Sequence, residues 1–194
     1  MHKHFISAQD LLDDAYELAA RVIESGFHPD CIIALWRGGT PVGVAVQELF
    51  EYCGIAVDHI AIRTSLYSGV DQRQRQVKVH NLDYIFNNFS TDNKLLIVDD
   101  VFDTGLTIKA LLAEIRNNLG TGQHGDIRVA MPWFKPSRNK TDLIPDYYLH
   151  ETDDWLVFPH ELCDLSDDEI AEKGGSVKEV VQRLRREFTK SPTF

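Results

Sequence analysis

The sequence predicts an α/β protein with a doubly wound, mostly parallel sheet flanked by helices. Short apolar runs of strand length alternate along the chain with segments in which apolar residues recur at helical spacing. This alternation is typical of βαβ units, in which a helix connects consecutive parallel strands. The 194 residues suit one compact domain, and hydrophobic residues, at 43%, are sufficient for one core.

The first helix is predicted to follow Ser7, which forms a loose capping box with Asp10. Gly26 and Pro29 end this helix after a series of apolar residues at helical spacing: Leu11, Leu12, Ala15, Leu18, Ala19, Val22 and Ile23. The apolar run over residues 31–35 then predicts a buried strand.

Thr40 and Pro41 are interpreted as the N-cap and first residue of a second helix, which extends to about Tyr52. Residues 55–62 predict another strand. Over residues 63–78 the pattern fails, because the stretch TSLYSGVDQRQRQ offers no apolar face, although residues 77–79 are a candidate strand stub. We therefore expect a long loop here, of the kind that is usually functional or disordered in compact domains.

Further strands are expected over residues 95–98, 127–131, 147–150 and 155–158, and helices over residues 82–89 and 106–119. The tail contains two capping boxes, Ser166 with Glu169 and Ser176 with Glu179. Its second helix has an apolar face formed by Val177, Val180, Val181, Leu184 and Phe188. The tail is thus predicted to be a helical appendage that packs on the domain or on a neighbouring subunit.

Composition excludes several classes of function. The net charge is -10, from 30 acidic and 20 basic residues, and a nucleic-acid-binding surface would be basic. A small anionic substrate remains compatible, because a site can be locally positive in an acidic protein. Acidic residues interrupt the N-terminal apolar pattern, so neither a signal peptide nor a membrane span is expected. The three cysteines form no CxxC pair and are interpreted as reduced thiols of a cytoplasmic protein: Cys31, Cys53 and Cys163.

The clearest chemical signal is the string LLIVDDVFDTGLT over residues 95–107. An apolar strand leads into the carboxylates of Asp99 and Asp100, which suit sugar hydroxyls or a metal ion held directly or through water. The following glycine and hydroxyl residues allow the backbone to curl around an anion at a helix N-terminus, where free amides favour phosphate. An acidic strand end before an ordinary capped helix is the alternative, and the complete string disfavours it.

This string resembles the phosphoribosyl-diphosphate (PRPP) motif of the type I phosphoribosyltransferases. The resemblance implies that Asp99 and Asp100 hold the ribose hydroxyls. It also implies that the next residues surround the 5′-phosphate, namely Asp103, Thr104, Gly105, Leu106 and Thr107. It further implies the type I phosphoribosyltransferase fold with a small hood and base-pocket subdomain, Mg²⁺ as cofactor, and Asp103 as the candidate acceptor of the purine proton.

A second segment, LWRGGTP, follows the strand at residues 31–35. Two glycines permit close backbone approach, and the guanidinium of Arg37 suits diphosphate oxygens. By itself RGG is equally typical of a plain turn. One βα unit before the PRPP motif, it resembles the diphosphate loop of the family, which implies PRPP contacts by Arg37, Gly38 and Gly39. In relatives this loop can contain a cis non-proline peptide.

The polar segment resembles the mobile hood of the family in position and character, and the hood is placed at residues 64–80. A hood is polar when open and supplies cations when it closes over bound substrates. The candidate contacts are two hydroxyl side chains and three cations, Ser65, Tyr67, Arg73, Arg75 and Lys78. A solvated loop without a role is the alternative interpretation.

Two segments bear on the acceptor. Lys135 ends the apolar run VAMPWFKP, and Trp155 lies within TDDWLVFPHE. Such a lysine is usually a surface cation and such a tryptophan is usually core. In this family they resemble the base pocket of the 6-oxopurine enzymes, above all the bacterial xanthine–guanine branch. The resemblance implies that Lys135 donates to the 6-oxo group, Trp155 stacks on the base, and the Leu156 backbone reads the 2-position. Glu161 stands where a relative has an aspartate near metal and base.

The sequence as a whole predicts a cytoplasmic phosphoribosyltransferase that transfers 5-phosphoribose from PRPP to xanthine, guanine or hypoxanthine. Residues 1–163 would form the catalytic domain and residues 164–194 a helical extension. Mg²⁺ would lie near Asp99, Asp100 and Glu161, bound directly or through water. A homodimer or homotetramer is expected, with no nucleic-acid or membrane partner. Two alternatives stay open: another acceptor base on the same scaffold, and a regulator that binds PRPP or nucleotides without turnover.

Overall fold

The computed structural model describes residues 3–68, 75–119 and 126–188. Its strands are β1 (Lys3–Phe5), β2 (Cys31–Trp36), β3 (Asp58–Ser68), β4 (Arg75–His80), β5 (Leu95–Val98), β6 (Val101–Phe102), β7 (Ile127–Phe134), β8 (Tyr147–Glu151) and β9 (Trp155–Val157). Its helices are α1 (Ala8–Glu24), α2 (Gly39–Tyr52), α3 (Asp83–Asn88), α4 (Leu106–Leu119), α5 (Asp167–Glu172) and α6 (Val177–Phe188), with a 3₁₀ turn at Pro136–Arg138.

The main sheet has the strand order β4-β3-β2-β5-β7-β6, and β8 pairs with β7 beside this path. Strand β2 is parallel to β3 on one side and to β5 on the other, and β5 is parallel to β7. The winding direction therefore reverses between β2 and β5. In open α/β sheets, ligands bind outside the carboxyl ends of the strands at such a switch point. The predicted fold class is confirmed, and the sheet places two predicted loops at its switch point.

The hydrophobic core covers one face of this sheet. Alternate residues of β2 and β5 pack there against α3 and α4, and the central members are Cys31, Ile33, Leu35, Leu95, Ile97, Leu111 and Ile115. On β2 the opposite face is occupied by α2, which approaches closely because Gly43 has no side chain. A Cβ atom on Gly43 would lie 2.6 Å from the Cβ of Ala34. This contact holds the start of α2 beside the end of β2.

Most of the predicted elements are found close to their expected bounds, and α4 has the bounds that were predicted.

The prediction of an irregular loop at residues 63–78 is wrong. Strand β3 continues to Ser68 and β4 begins at Arg75, and the two pair antiparallel from Arg63 with His80 to Ser68 with Arg75. The pairing uses main-chain groups, so a hairpin at the edge of a sheet does not require an apolar face. Residues 69–74, which include the candidate Arg73, lie outside the described residues.

The proposed N-cap of α2 is also wrong. The helix begins at Gly39 with Gly38 as its N-cap, and the amide of Thr40 donates to the carbonyl of Arg37 at 3.2 Å. Thr40 therefore lies inside the first turn of the helix and is not its N-cap. Two strands were not anticipated, β1 and β6, with three and two residues respectively. Segments so short carry no measurable alternation of apolar and polar residues.

The chain divides into two compact units. The larger unit holds residues 9–153 and contains the main sheet. The smaller unit holds the described residues 3–8 and 154–188, with a parallel pair of β1 and β9 followed by α5 and α6. The predicted capping box of Ser166 and Glu169 is confirmed at the start of α5. The predicted boundary at residue 164 stays a prediction. No helix in the described part is both long and apolar enough to cross a membrane.

Candidate active site

The loops that follow β2 and β5 touch at the switch point of the sheet. A Cβ atom on Gly38 would lie 2.0 Å from Oδ2 of Asp100, and one on Gly39 would lie 2.6 Å from the Cα of Asp99. Real Cβ atoms do not approach other atoms so closely, so both positions require glycine if the loops keep this arrangement. The peptide bond between Trp36 and Arg37, at the start of the first loop, is cis. The predicted diphosphate loop thus lies directly on the predicted ribose carboxylates.

The two carboxylates form an acidic pair with little solvent around it. Asp100 is only 8% exposed, and Asp99 is half-buried. Burial, followed by the neighbouring charge of Asp100, raises the pKa of Asp99 well above its usual range. The amide of Asp100 donates to Oδ1 of Asp99 at 3.0 Å and opposes this shift. Hydroxyl donors or a cation at this position would stabilise the ionised pair.

The predicted phosphate loop turns at Gly105, which has a φ of +72°. A Cβ atom there would meet Oγ1 of Thr141 at 2.6 Å and the ring of Phe102 at 2.7 Å, so this turn also requires glycine. The amide of Lys109 donates to the carbonyl of Gly105 at 2.9 Å and begins the hydrogen bonding of α4. The loop therefore ends on a helix N-terminus, where amides without helical partners favour an anion.

The connection between β7 and β8 is hydrogen-bonded to this loop at several points. The amide of Lys135 donates to the carbonyl of Phe102 at 2.9 Å, and the amide of Lys140 donates to the carbonyl of Thr104 at 3.0 Å. Between these two bonds, Nε of Arg138 donates to Oδ1 of Asp103 at 2.5 Å. The two segments are therefore joined on both sides of Asp103, the candidate proton acceptor.

Arg138 and Thr141 were not anticipated as part of this site. Both lie in the polar stretch PSRNKT that follows Lys135, where the sequence shows only a turn. The one available signal was proximity in sequence to Lys135, and proximity alone does not identify a contact with the PRPP motif.

Lys135 is buried, with 6% of its surface exposed. It is therefore not the surface cation that its position at a strand end would ordinarily suggest. Among the residues that the structure describes, Lys135 and Asp100 are the two charged residues that are buried. Burying a charge is costly without compensating partners, and both residues were predicted as site residues from the sequence. The larger unit therefore contains one buried cation and one buried anion at its candidate site.

The remaining predicted base-pocket residues lie in the smaller unit. Trp155 is 47% exposed and Leu156 is buried, and both belong to β9, whose neighbour is β1. Oε2 of Glu161 accepts a hydrogen bond from the amide of Phe158 at 3.1 Å. This bond gives Glu161 a local role in a turn, whatever its relation to a metal ion.

The predicted hood residues lie on the β3–β4 hairpin where they are described. Oγ of Ser65 lies 3.0 Å from Nε2 of His80, and Lys78 is exposed. Tyr67 and Arg75 lie on its paired backbone. Mobility of the hood and its substrate contacts stay predictions.

Among known protein families, the model described as a phosphoribosyl transferase domain matches residues 6–167 of the chain. This match includes both loops at the switch point and the segments of Lys135 and Trp155. No curated protein sequence matches the chain.

Several solved structures share the fold. A purine phosphoribosyltransferase from Pyrococcus horikoshii is 25% identical, with a TM-score of 0.66 over 86% of this chain and 98% of that chain. A hypothetical protein from Neisseria gonorrhoeae with bound ppGpp is 23% identical, with a TM-score of 0.67 over 84% of this chain and 91% of that one. A xanthine-guanine-hypoxanthine phosphoribosyltransferase from Helicobacter pylori is 21% identical, with a TM-score of 0.64 over 81% and 92% of the two chains.

Proposed function

The chain belongs to the phosphoribosyltransferase family, and from this premise we propose that it transfers 5-phosphoribose from PRPP to a 6-oxopurine. The products are a purine nucleoside monophosphate and diphosphate. The observation that carries the choice of a purine is the buried Lys135, whose amide is bonded to the PRPP loop at Phe102. The fold is shared with a purine enzyme at 25% identity, which supports the same choice.

In this proposal each part of PRPP has its own contacts. The ribose hydroxyls bind to the carboxylates of Asp99 and Asp100. The 5′-phosphate binds to the amides and hydroxyls of the loop Asp103, Thr104, Gly105, Leu106 and Thr107. The diphosphate binds to Arg37 and to the backbone at Gly38 and Gly39. The close approach of the two glycines to Asp99 and Asp100 supports this assignment, because diphosphate and ribose are adjacent in the donor.

Mg²⁺ is the proposed cofactor, and the residues at the switch point fit it. Asp99 and Asp100 would supply adjacent oxygen ligands, and burial, followed by the neighbouring charge of Asp100, raises the pKa of Asp99. The described residues contain no cluster of three or more His, Cys, Asp or Glu side chains suited to a metal. Mg²⁺ usually binds through one or two carboxylates, water and substrate phosphates, and Asp99 and Asp100 would supply two carboxylates. When bound, Mg²⁺ neutralises the leaving diphosphate. Glu161 stays a sequence-based candidate for a metal contact, direct or through water.

The proposed catalysis is mainly positioning and charge stabilisation. The bond between C1 and diphosphate loosens towards an oxocarbenium ion, and a purine nitrogen attacks C1 from the opposite face. Lys135 donates a hydrogen bond to the 6-oxo group and stabilises the negative charge that develops on the base. Asp103 accepts the proton released by the purine. We also propose that the purine base stacks on Trp155 and contacts the backbone of Leu156. These two roles rest on the family resemblance alone.

The decisive experiment measures diphosphate release by purified protein with PRPP, Mg²⁺ and each of xanthine, guanine and hypoxanthine. We expect release that depends on a purine, with kcat/KM values that rank the three bases. Adenine and a pyrimidine, orotate, serve as acceptor controls. Binding of PRPP without release of diphosphate would instead favour a regulator that has kept the fold and lost turnover.

Assembly and location complete the proposal. We propose that the protein is a homodimer or homotetramer in the cytoplasm and that it has no nucleic-acid or membrane partner. The acidic charge of -10 supports the absence of a nucleic-acid partner. Light scattering on the purified protein tests the oligomeric state.

A further inference from the structure

The candidate proton acceptor is bound by a cation that the proposed chemistry does not use. Nε of Arg138 donates to Oδ1 of Asp103 at 2.5 Å, across 35 positions of sequence. Arg138 ends the 3₁₀ turn Pro136–Arg138, and its amide donates to the carbonyl of Lys135 at 3.1 Å. The guanidinium that contacts Asp103 is thus fixed to the same turn as the proposed base-binding lysine.

Holding the loop together does not explain this ion pair. The backbone bonds from Lys135 to Phe102 and from Lys140 to Thr104 already join the two segments on either side. The side chains of Asp103 and Arg138 are 36% and 39% exposed, and exposed ion pairs contribute little to folding. Arg138 therefore has more influence on where the Asp103 carboxylate points than on whether the loop folds.

The direction of this carboxylate matters because of the loop in which it lies. Asp103 comes directly before Thr104 and Gly105 at the N-terminus of α4. Asp103 is not the N-cap of α4, but an aspartate side chain can accept a hydrogen bond from the backbone amide two residues further along, which here belongs to Gly105. This amide is part of the proposed site of the 5′-phosphate. A carboxylate that occupied it would compete with the phosphate and repel it.

We propose that Arg138 is a positioning residue that holds the carboxylate of Asp103 away from the amides of the phosphate loop. The loop stays open to the 5′-phosphate, and Asp103 stays directed to the side of Lys135, where it is needed as proton acceptor. This inference rests on the proposed function, since it assigns PRPP to the loop.

The test is a double-mutant cycle with Arg138→Met, Asp103→Ala and the combined variant. Calorimetry measures the Kd for PRPP with Mg²⁺, and the Kd for ribose 5-phosphate as a probe of the phosphate loop alone. We expect Arg138→Met to weaken both ligands by about tenfold, an effect within the usual range for residues in contact. In the Asp103→Ala background, the same change should weaken them by less than about twofold, because no side chain at position 103 is left to compete for the amides.

A matched control removes a different ion pair from the same region. Nζ of Lys109, on α4, lies 3.4 Å from Oδ1 of Asp142 in the β7–β8 connection. Lys109→Met therefore deletes a bond between the same two segments without touching Asp103, and it should leave both affinities unchanged. Arg138→Lys keeps a cation near Asp103 and should recover part of the affinity lost in Arg138→Met.

Equal losses from Arg138→Met in both backgrounds would overturn the proposal, because Arg138 would then act independently of Asp103. A loss in Lys109→Met as large as in Arg138→Met would also overturn it in favour of general loosening of the loop. Wild-type protein that binds PRPP and releases no diphosphate would overturn the proposed function only, since the cycle is measured by binding. Wild-type protein that binds neither ligand would overturn both.

Discussion

Gly38 lies against the carboxylate of Asp100, so closely that a Cβ atom on Gly38 would fall 2.0 Å from Oδ2 and 2.5 Å from Cγ. The backbone of Gly38 is in the right-handed helical region, with a φ of -64°, which any residue adopts. Glycine is therefore needed here for space and not for backbone conformation. The consequence is that the proposed sites for diphosphate and ribose share one surface.

Gly38→Ala should lower the affinity for PRPP by about tenfold or more, because Asp100 must move away from the ribose hydroxyls. Calorimetric titration with PRPP and Mg²⁺ measures the change. Gly54→Ala is the matched control: Gly54 has a φ of +74°, and a Cβ atom there would have no neighbour within 4 Å. It should lower the melting temperature through backbone strain and leave affinity unchanged. Unchanged PRPP affinity in Gly38→Ala would contradict the assignment of this loop.

Replacing both Asp99 and Asp100 by alanine should abolish measurable PRPP binding, since the proposed ribose contacts and the magnesium ligands are lost together. Isothermal titration calorimetry with and without Mg²⁺ provides the measurement. The variant Asp83→Ala with Asp92→Ala removes two exposed carboxylates and is the control for net charge. Wild-type affinity in the Asp99 and Asp100 double variant would remove the basis for calling this loop a PRPP site.

The raised pKa of Asp99 predicts a pH-dependent cost to stability in the absence of ligand. Between the ordinary aspartate pKa and the raised folded value, the folded state binds more protons than the unfolded state. Stability therefore falls as pH rises through this window. Asp99→Asn should raise the melting temperature at neutral pH, and the gain should shrink towards about pH 4, the ordinary aspartate range. The exposed Asp92→Asn serves as control. A gain that is independent of pH would refute the burial argument.

Part of this site could be predicted because its signal is contiguous in sequence. The apolar run of β5, the carboxylates of Asp99 and Asp100 and the turn at Gly105 follow one another directly, and α4 begins where predicted. The fold class followed from alternating patterns of the same local kind. The switch point then follows from topology, since the carboxyl ends of neighbouring parallel strands meet at one edge of the sheet.

The features of the fold and of the site that could not be predicted depend on contacts between segments that are distant in sequence or on main-chain pairing. The pair of Arg138 and Asp103 spans 35 positions, and no local pattern marks either residue as the partner of the other. The β3–β4 hairpin is stabilised by main-chain pairing, which leaves little trace in a polar sequence. Burial of Lys135 likewise depends on surrounding elements, so the sequence alone favoured an ordinary surface cation.

Lys135→Met should raise the KM for the purine base by about tenfold or more while changing the KM for PRPP by less than about twofold. The expected increase in KM corresponds to the loss of a hydrogen bond from a charged donor, which is worth about 1.5–3 kcal/mol. Methionine keeps the length and apolar character of the stem, so the buried position at the end of β7 remains filled. Steady-state kinetics with each 6-oxopurine provide both constants, and Lys140→Met, in the same connection, is the control. Equal increases in the two KM values would contradict a specific contact between the Lys135 side chain and the base, since the amide bond from Lys135 to Phe102 is kept in the variant.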